Sequence, residues 1–447
     1  MKKVYLIFFI IPLILQSCKQ DYDITPTPTP HNLSDANTYS PQIAIDWINT
    51  YRQVIASQSL NPPRTSRLLA YAGIGMYECL VEGIKNNKSL QGQLNGFALN
   101  SIPTNTDSLA YHIVVNELMY RLLLCDTLVP SLNTTSRNYA DNLYNQFLSS
   151  VGSSVADSIV QKSKARGRLV ADAIKQYAAA DHFQTVRNLS YTVPPRDAAH
   201  PWYWVPTDMA HPNPAEPYWS QIRPFVMDSA AQFLIPQSTP YNEDTGSAFG
   251  HLALEVYNTV NARTDEQNNI VLWWRDGTGA QTPAGHWMAI LQYVIHQKGY
   301  NLGKAAELYA LLGITEADAF ISCWTSKYRY NLLRPETYIH DFISSSWTTG
   351  QNSDITPTFP EYPSGHSVAS GAAATVLTNA LGTVSFTDSC NTWQGYMPRN
   401  FASFTDAAQE AAISRIYGGI HYMEAINNGV SQGNQIGSYI SGKIAFR

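Results

Sequence analysis

The feature that most constrains the fold of this chain is the spacing of its apolar residues, which recur every three or four positions over long stretches. This spacing puts apolar side chains on one face of an α-helix, whereas a half-buried strand requires strict alternation. Strand signals are few, and no internal repeat is visible. The chain is therefore predicted to be all-α and built from packed helical bundles. The predicted helices cover residues 43–57, 66–84, 109–125, 155–180, 248–260, 284–296, 303–312, 367–381, 406–417 and about 422–443.

Two other segments bear on the helix pattern. Thr315-Glu316-Ala317-Asp318 resembles a capping box, so a new helix is predicted to begin there. Pro and aromatic residues crowd the segment 191–241, which is predicted to form long irregular connections.

Composition limits the class of protein. The chain has 447 residues and a formal net charge of -5, with 12% aromatic and 14% charged residues. Such a composition is typical of a globular enzyme and not of a disordered chain. No basic patch is visible, so nucleic acid is not expected as a partner.

The N-terminus resembles a processing signal. Lys2 and Lys3 precede an apolar run over residues 4–15, and Leu15-Gln16-Ser17-Cys18 follows. This pattern predicts a lipoprotein signal peptide over residues 1–17 and lipidation of Cys18, with an ordinary secretory signal as the alternative. The expected location is the bacterial cell envelope, periplasmic or surface-exposed, with secretion as the alternative. Contact with the membrane is expected only through the N-terminal lipid anchor, because no later segment has the pattern of a transmembrane helix.

The rest of the chain divides into two predicted parts. Residues 18–40 contain Thr25-Pro26-Thr27-Pro28-Thr29-Pro30, which cannot form a regular helix and predicts a stiff tether. Residues 41–447 are predicted to form the catalytic body, with the motifs described below in about 245–447. Disulfides are permitted in the expected compartment, but spacing alone leaves three possible pairings among Cys79, Cys125, Cys323 and Cys390.

The first chemical motif is Lys327-Tyr-Arg-Tyr-Asn-Leu-Leu-Arg334-Pro335. Seven residues make two helical turns, so Lys327 and Arg334 are expected on one face of a helix. Pro335 is expected to end that helix. Taken alone, this motif favours a solvated basic face.

The second motif is Pro363-Ser364-Gly365-His366, immediately before a predicted helix. The unpaired N–H groups and the positive dipole end of a helix N-terminus attract anions. Gly365 would let the backbone approach an anion closely, Ser364 could add a hydroxyl donor, and His366 could exchange protons. Taken alone, the motif is also compatible with a capped helix start and a surface histidine.

The third motif is Ser414-Arg415-Ile-Tyr-Gly-Gly-Ile-His421. On a continuous helix, Arg415 and His421 would lie on different faces. Gly418-Gly419 predicts a break between two helices, which would let both side chains converge. Taken alone, the motif is also typical of a helix end beside a core histidine.

Together, the three motifs supply three cations, a hydroxyl, a close backbone N–H and two histidines, a set suited to a tetrahedral oxyanion. Their order and spacing over residues 327–421 resemble the signature of the superfamily of vanadium haloperoxidases and type 2 phosphatidic acid phosphatases. Three further segments resemble the soluble bacterial haloperoxidases, including the vanadium iodoperoxidases. These segments are residues 66–74, 282–287 and 358–363.

The resemblance implies a role for each motif residue. Lys327, Arg334 and Arg415 would neutralise the oxygens of bound vanadate, and Ser364 and the Gly365 N–H would donate hydrogen bonds to them. His421 would bind vanadium axially, and His366 would be the acid–base partner when hydrogen peroxide enters. Trp324, three residues before Lys327, resembles a pocket tryptophan. The implied cofactor is vanadate, and the implied reaction is the oxidation of halide by hydrogen peroxide to a hypohalous-acid-type species.

An acid phosphatase would use the same residues. His421 would then form a phosphohistidine, and His366 would protonate the leaving group. Phosphatases of the superfamily usually carry Asp four residues after the second histidine, where this chain has Ala425. Glu424 is the nearby carboxylate expected to orient His421. A haloperoxidase is favoured by three features: Ala425 in place of that Asp, Trp324, and the long helical N-terminal portion.

Three further expectations concern an alternative function, the halide and two more residues. A noncatalytic lipoprotein that binds a surface ligand through its many Tyr and Trp side chains is the alternative from another class. Iodide is the favoured halide, because of the resemblance to iodoperoxidases and because no second histidine adjoins His366 or His421. Asp276 is expected in a surface loop, with pairing to an active-site arginine as the alternative, and His286 is expected to be a structural histidine.

Overall fold

The computed structural model describes residues 35–99, 102–105, 107–209, 211–277, 279–351 and 356–447. In these residues the chain forms fourteen α-helices and one short hairpin. The helices are α1 (Gln42–Ser57), α2 (Pro62–Glu78), α3 (Tyr111–Leu123), α4 (Thr134–Val151), α5 (Asp157–Ala179), α6 (Phe183–Val186), α7 (Ala248–Asn261), α8 (Asp265–Trp273), α9 (Thr282–Gln297), α10 (Leu302–Tyr330), α11 (Pro335–Phe342), α12 (Gly365–Leu381), α13 (Phe404–Tyr417) and α14 (Met423–Lys443). Strands β1 (Phe386–Asp388) and β2 (Arg399–Phe401) pair antiparallel. The predicted all-α class is confirmed.

Most predicted helices are present within a few residues of their expected ends, but some helices were not predicted. Helices α4, α6, α8 and α11 have no counterpart in the sequence prediction. Helix α4 shows why: its buried residues are only Ser136, Ala140 and Val151, so its apolar stripe is too thin to reveal the period. Helix α2 ends at Glu78, earlier than expected.

Helix α10 is continuous, and the expectation of a new helix at Thr315 is wrong. The Thr315 hydroxyl donates to the carbonyl of Leu311, 2.8 Å away, one turn back within the same helix. Asp318 instead accepts the backbone N–H groups of Phe225, Val226 and Met227, at 2.6, 2.8 and 2.9 Å. A capping-box pattern, even with Gly313 two residues before it, does not interrupt a helix that is buried along most of its length.

The long helix α10 connects the two halves of the molecule. It packs against α2 in the N-terminal half and against α12 in the C-terminal half, and α12 in turn packs against α13 and α14. Glycines allow the close contact between α2 and α10: a Cβ at Gly73 would lie 2.5 Å from the Tyr309 carbonyl oxygen, and one at Gly313 would lie 2.8 Å from that of Leu69. One apolar core therefore extends from α1 to α14, and a smaller core lies among α7, α11, α13 and α14.

The predicted irregular connection is present between α6 and α7. Its described residues in 187–247 form one short 3-10 helix, Trp219–Gln221, and a single bridge between Tyr203 and Leu332. The three hydrogen bonds to Asp318 fix part of this segment against α10. The segment contributes Asp208, His211 and Ala215 to the wall of the cavity described below.

The N-terminal expectations lie partly outside the described residues. The signal peptide and Cys18 fall in the residues that the structure does not describe. Of the expected tether over residues 18–40, the last residues are described, and Ala36 and Tyr39 among them are buried against the body. The Tyr39 carbonyl accepts the N–H of Leu302, so this part of the segment is attached to the start of α10.

Two findings concern the cysteines and the membrane. The four described cysteines are free thiols, so none of the three possible pairings is present. Across the described ranges, none of the helices combines the length and the apolar character needed to cross a bilayer.

Candidate active site

A cavity of about 570 Å³ opens among the loops at one end of the C-terminal helices. Residues of the second and third motifs line it, together with residues of α10, of the irregular segment and of the loop after α8. Lys327 and Arg334 of the first motif lie behind this lining, against the ring of Phe359. The lining residues considered below are Trp324, Gly365, His366, Arg415, His421, Asp276, His211, Phe320 and Phe359.

The first motif is not a single helix. Helix α10 ends at Tyr330, and Asn331 has left-handed backbone with φ 49°. Arg334 is extended, and Pro335 is the first residue of α11. The expectation that Pro335 ends a helix carrying Lys327 and Arg334 on one face is therefore wrong. Proline forces the preceding residue into extended backbone and suits the first position of a helix, so Pro335 begins the next helix.

Lys327 and Arg334 nevertheless converge. The Lys327 ammonium and the Arg334 guanidinium each lie 5.0 Å from the centroid of the Phe359 ring. The ammonium of Lys327 donates to the carbonyls of Pro360, Glu361 and Pro363, at 3.0, 2.9 and 2.6 Å. Burial, with a smaller effect from the charge of Arg334, lowers the pKa of Lys327 to about 7, against the opposing effects of Cys323 and Glu361. Lys327 thus fixes the loop before α12 and places a buried positive charge behind the cavity wall.

Arg334 links the same loop to the third motif. Its guanidinium donates to the Phe359 carbonyl at 3.2 and 2.9 Å and to the Ile420 carbonyl at 2.9 Å. Its Nη1 also lies 3.2 Å from Nε2 of His421. Burial lowers the pKa of Arg334 to about 10, so the group stays charged at neutral pH.

The second motif forms the N-terminus of α12, as expected. Ser364 is the N-cap, and its hydroxyl oxygen accepts the N–H and the hydroxyl of Ser367, at 3.3 and 2.8 Å. Gly365 is the first helical residue, where a backbone N–H has no partner within the helix. A Cβ added at Gly365 would lie 3.7 Å from the Trp324 ring and 4.0 Å from Cε of Lys327. Glycine therefore keeps open a small space between these two side chains.

The third motif has the predicted break. Helix α13 ends at Tyr417, Gly419 has φ 73°, and α14 begins at Met423. The turn lets Arg415, in the last turn of α13, and His421 line the same cavity. The predicted convergence of these two side chains is confirmed.

Glu361 orients His421, and the sequence analysis did not identify it. Nδ1 of His421 lies 2.8 Å from Oε1 of Glu361, which also accepts the N–H of Tyr422 at 3.0 Å. The expected partner, Glu424, instead accepts hydrogen bonds from Ser238, with its hydroxyl at 2.7 Å. Glu424 does not reach His421, because it lies in the first turn of α14 and points away from the turn that carries His421. The segment 358–363 contained a signal, a buried carboxylate just before the second motif, but one sequence does not show which residue it faces.

The contacts of His421 determine its tautomer. Arginine can only donate hydrogen bonds, so the nitrogen facing Arg334, Nε2, must accept, and Nδ1 must carry the proton that it donates to Glu361. Burial lowers the pKa of His421 well below its usual value, and the charges of Arg334 and Lys327 lower it further. Burial raises the pKa of Glu361 to about 8. His421 is therefore a neutral imidazole that presents an unprotonated Nε2 on the cavity side.

His366 and Arg415 meet across the cavity. Nη1 of Arg415 lies 3.4 Å from Nε2 of His366, and the His366 ring also hydrogen-bonds the backbone of Trp274. Burial lowers the pKa of His366 well below its usual value, and the charge of Arg415 acts in the same direction. Nε of Arg415 donates to the Ser414 hydroxyl at 3.0 Å, whereas its Nη2 is buried without a partner among the described residues. The guanidinium thus has an unused donor.

Trp324 lines the cavity, as the sequence predicted. Its ring packs against Phe359 and Phe320, with centroids at 4.8 and 5.5 Å, and its Nε1 donates to the Ala215 carbonyl at 3.1 Å. Cys323, the residue before it, is buried and is not among the lining residues. The aromatic side chains form an apolar wall that adjoins Gly365 and the Lys327 and Arg334 side chains.

Asp276 and His286 complete the surroundings. Asp276 lies in the loop after α8 and is buried, so the expectation of a surface-loop aspartate is wrong. Its carboxylate is 3.8 Å from Nε2 of His366 and hydrogen-bonds His286, which makes it part of the cavity wall. His286 is fully buried and bonded through both ring nitrogens, as expected for a structural histidine.

The charge distribution defines what this cavity can bind. Lys327, Arg334 and Arg415 are buried, and within the described ranges none of them forms an ion pair with a carboxylate. Buried charges in proteins are normally paired, so a cluster of unpaired cations around a cavity requires an anionic ligand. Beside them lie a helix N-terminus and an unprotonated histidine nitrogen. The arrangement suits a tetrahedral oxyanion whose central atom accepts a nitrogen ligand.

Comparisons with known proteins agree with this geometry. The family model of the VCPO second helical-bundle domain matches residues 307–348 and 343–445. The chain is similar to the crystal structure of a bacterial vanadium-dependent iodoperoxidase, with 34% identity and a TM-score of 0.82, covering 91% of this chain and 97% of that one. It also has the fold of a bacterial vanadium-dependent chloroperoxidase. For the holo form, the identity is 14% and the TM-score is 0.60, and the match covers 94% of this chain and 96% of that one. For the apo form, the identity is 13% and the TM-score is 0.62, and the match covers 92% of this chain and 98% of that one. No curated protein matches.

Proposed function

The chain belongs to the vanadium-dependent haloperoxidases, and from this premise we propose that it is a peroxidase that oxidises halide ions with hydrogen peroxide, with iodide as the preferred halide. In the overall reaction, hydrogen peroxide, a halide ion and a proton yield a hypohalous acid and water. The observation that carries the proposal is the cluster of three buried, unpaired cations: Arg415 lines the cavity, and Lys327 and Arg334 lie behind its wall against Phe359. Sequence identity of 34% over nearly the whole of both chains supports the same reaction class.

Vanadate fits the residues of this site. The orphaned Nη2 of Arg415 offers a donor, and the open space beside Gly365 leaves room for an oxygen near the first N–H of α12. The lone pair of His421 Nε2 faces Nη1 of Arg334, and it would bind the central atom of the oxyanion in place of that contact. When bound, vanadate supplies a Lewis acid that polarises peroxide.

His421 and Glu361 form the nitrogen side of the site. Because Glu361 accepts the Nδ1 proton of His421, the ring keeps one tautomer and one orientation. Both the burial of His421 and the neighbouring cations keep it neutral, so Nε2 is available for ligation at neutral pH.

His366 is the proposed proton-transfer residue. It is neutral, it lines the cavity, and its Nε2 faces Arg415. A neutral imidazole can accept a proton from incoming hydrogen peroxide and later return it to the oxygen that leaves as water. Positive charge from Arg415 keeps the acquired proton labile, because it disfavours the imidazolium form.

The cations and the α12 N-terminus compensate negative charge. Arg415 provides the unused donor, whereas Lys327 and Arg334 act through their charge from positions that main-chain carbonyls fix. Such fixed donors need no rearrangement as charge develops, which is the main source of electrostatic catalysis. The Ser364 hydroxyl proton is available, because its oxygen accepts both contacts from Ser367.

The apolar wall supports the choice of halide. Trp324, Phe320 and Phe359 line the cavity. Iodide is the least strongly hydrated and most easily oxidised of the common halides, so an aromatic wall costs it the least desolvation. The similarity to a protein described as an iodoperoxidase supports the same preference.

Steady-state assays test the function. Protein loaded with vanadate is expected to oxidise iodide faster than bromide or chloride in the presence of hydrogen peroxide, with phosphate as a competitive inhibitor of loading. Equal or faster oxidation of bromide would refute the iodide preference. Hydrolysis of a phosphomonoester without vanadate-dependent halide oxidation would refute the proposal as a whole.

We further propose that the mature protein is a lipoprotein of the cell envelope, cut before Cys18 and held by its lipid. The supporting observation is the order of segments at the N-terminus: two lysines come first, an apolar run follows, and Leu-Gln-Ser-Cys comes at its end. Mass spectrometry of the mature N-terminal peptide tests it: diacylglycerol on Cys18 is expected, and an unmodified Cys18 in a secreted product would refute it.

A further inference from the structure

A buried histidine behind the cavity is bonded to two carboxylates. Nδ1 of His286, on α9, lies 3.1 Å from both oxygens of Asp276, and Nε2 lies 2.8 Å from Asp388. The Trp274 ring is stacked on the imidazole, with centroids 4.4 Å apart and an interplanar angle of 20°. The three residues Asp388, His286 and Asp276 are called the buried triad below.

The contacts define the protonation of the triad. Ionised carboxylates only accept hydrogen bonds, so both nitrogens of His286 must donate for both contacts to be satisfied. Burial by itself lowers the pKa of His286, but the charges of Asp276, Cys390 and Asp388 raise it well above its usual value. The stacked Trp274 ring adds a favourable face for a cation. His286 is therefore an imidazolium between two carboxylates.

The two carboxylates differ in how firmly they are held. Asp388 ends β1 and also accepts the Trp273 Nε1–H and the Cys390 backbone N–H, each at 2.9 Å. Asp276 lies in a loop with left-handed backbone at φ 41°, and its hydrogen bonds in the described structure come from His286. The triad thus joins a fixed carboxylate to a carboxylate that depends on the histidine.

The dependent carboxylate faces the reactive groups. Asp276 lines the cavity, and its Oδ2 lies 3.8 Å from Nε2 of His366. Burial lowers the pKa of Arg415, and the charge of Asp276 is the first influence that opposes this effect. Displacement of Asp276 would therefore change the field at both His366 and Arg415.

We propose that His286 is a positioning residue of the active site, which uses Asp388 as its anchor and fixes the Asp276 carboxylate at the cavity wall. There the carboxylate faces His366 and acts on the guanidinium of Arg415 through its charge. This inference rests on the proposed function, because the oxyanion is the vanadate of that proposal.

A metal ion is the competing occupant of this region. His286, Asp388 and Cys390 each offer a ligand atom, and these atoms lie within 4.8 Å of one another. However, the Arg52 guanidinium lies 3.3 Å from the Cys390 sulfur, and a cation in that position disfavours a second one. A metal-bound histidine would also be neutral, and its ligating nitrogen could not donate to Asp388.

The protonation of His286 can be measured on the wild-type protein without vanadate. Long-range ¹H–¹⁵N spectra with ¹⁵N-labelled histidine are expected to show one imidazolium that stays protonated well above the ordinary histidine pKa. The resonance is assigned by its absence in His286→Gln. A neutral tautomer of His286 at pH 7, or one equivalent of bound zinc that His286→Gln removes, would refute the triad.

The positioning role is tested by a double-mutant cycle on vanadate affinity, measured by calorimetry. His286→Gln and Asp276→Asn are each expected to weaken vanadate binding by about 10–100-fold. The double variant should bind vanadate no more weakly than the more strongly affected single variant, because both substitutions break one unit. His340→Gln is the matched control: this histidine bonds the Trp347 carbonyl, is not among the cavity-lining residues, and should leave binding unchanged.

The outcomes separate the two proposals. Unchanged affinity in His286→Gln, or effects of the two substitutions that multiply in the double variant, would refute the positioning role. Failure of the wild type itself to bind vanadate would count against the proposed function, while the spectra would still test the triad.

Discussion

Two buried arginines in the two halves of this molecule have opposite surroundings. Arg67, on α2, donates from Nε to Asp181 at 2.6 Å and from its other nitrogens to the carbonyls of Thr127 and Ala178. Arg415, on α13, has no ion pair in the described structure, and its Nη2 has no partner there. Both are almost inaccessible to solvent, at 2% and 1% exposure.

The difference shows how burial of a charge separates structure from function. Arg67 is satisfied within the fold, and its guanidinium also lies 4.3 Å from the centroid of Phe183. Arg415 has a lowered pKa, caused first by burial, because its protein partners do not replace the water that it lost. A buried cation that has protein partners stabilises the folded chain, whereas a buried cation that lacks them is free to bind an anionic ligand.

The largest expected effect is on stability, at the satisfied arginine. Arg67→Met should lower the free energy of unfolding by about 3–5 kcal/mol, because Asp181 would remain buried without its cation. Denaturant unfolding of the vanadate-free protein measures this. The folded fraction should keep its activity, and a change below about 1 kcal/mol would contradict the assigned structural role.

The unsatisfied arginine should show the reverse pattern. Arg415→Met is expected to lower kcat/KM for iodide oxidation by about 10²–10³-fold, as for the loss of one oxyanion donor. The free energy of unfolding without vanadate should stay the same or rise, because a poorly solvated charge is removed. Destabilisation as large as that of Arg67→Met would remove the distinction between the two sites.

The two carboxylates near His421, Glu361 and Glu424, allow a similar comparison. Glu361→Met is expected to weaken vanadate binding by about 10–100-fold, because the imidazole loses the acceptor that orients it. Glu424→Met is the matched control, since that side chain bonds Ser238 in the irregular segment. Calorimetric titration of both variants measures the effect. Equal losses in the two would show that the Glu361 contact has no special role.

The smallest expected effect is on pH dependence. Burial lowers the pKa of Lys327 to about 7, so the empty site loses this charge as pH rises, and binding of an anion must then take up a proton. Affinity for tungstate, which stays a dianion, should be constant below about pH 7 and fall up to about tenfold per pH unit above it. In Lys327→Gln the fall should begin only near pH 8, where Glu361 ionises. A wild-type profile that is flat to pH 9 would contradict the lowered pKa.

The fold was predictable where helices have a strong apolar face. Helices α1, α3, α5 and α7 lie close to their predicted ranges because burial imposes the 3.6-residue period. The continuity of α10 was not predictable, since Thr315–Asp318 satisfies a local pattern that tertiary packing overrides. Asp318 has a partner 91 to 93 residues away, which no local pattern can reveal.

The candidate site was predictable as a set of residues and not as a network. Motif chemistry identified Lys327, Arg334 and Arg415 as cations of one site, and all three are buried near one cavity. It selected Glu424 as the partner of His421, since sequence proximity was the available guide. The actual partner, Glu361, is 60 residues from His421 along the chain.

By itself, the sequence determined the helical class, the three motifs and the break at Gly418-Gly419, because these depend on local periodicity, residue chemistry and backbone freedom. Only the tertiary structure decided which carboxylate serves which histidine: Glu361 for His421, and Asp276 with Asp388 for His286. The physical reason is that hydrogen bonds and electrostatic fields act over a few ångströms in space. Partners at that distance can be separated by any length of chain.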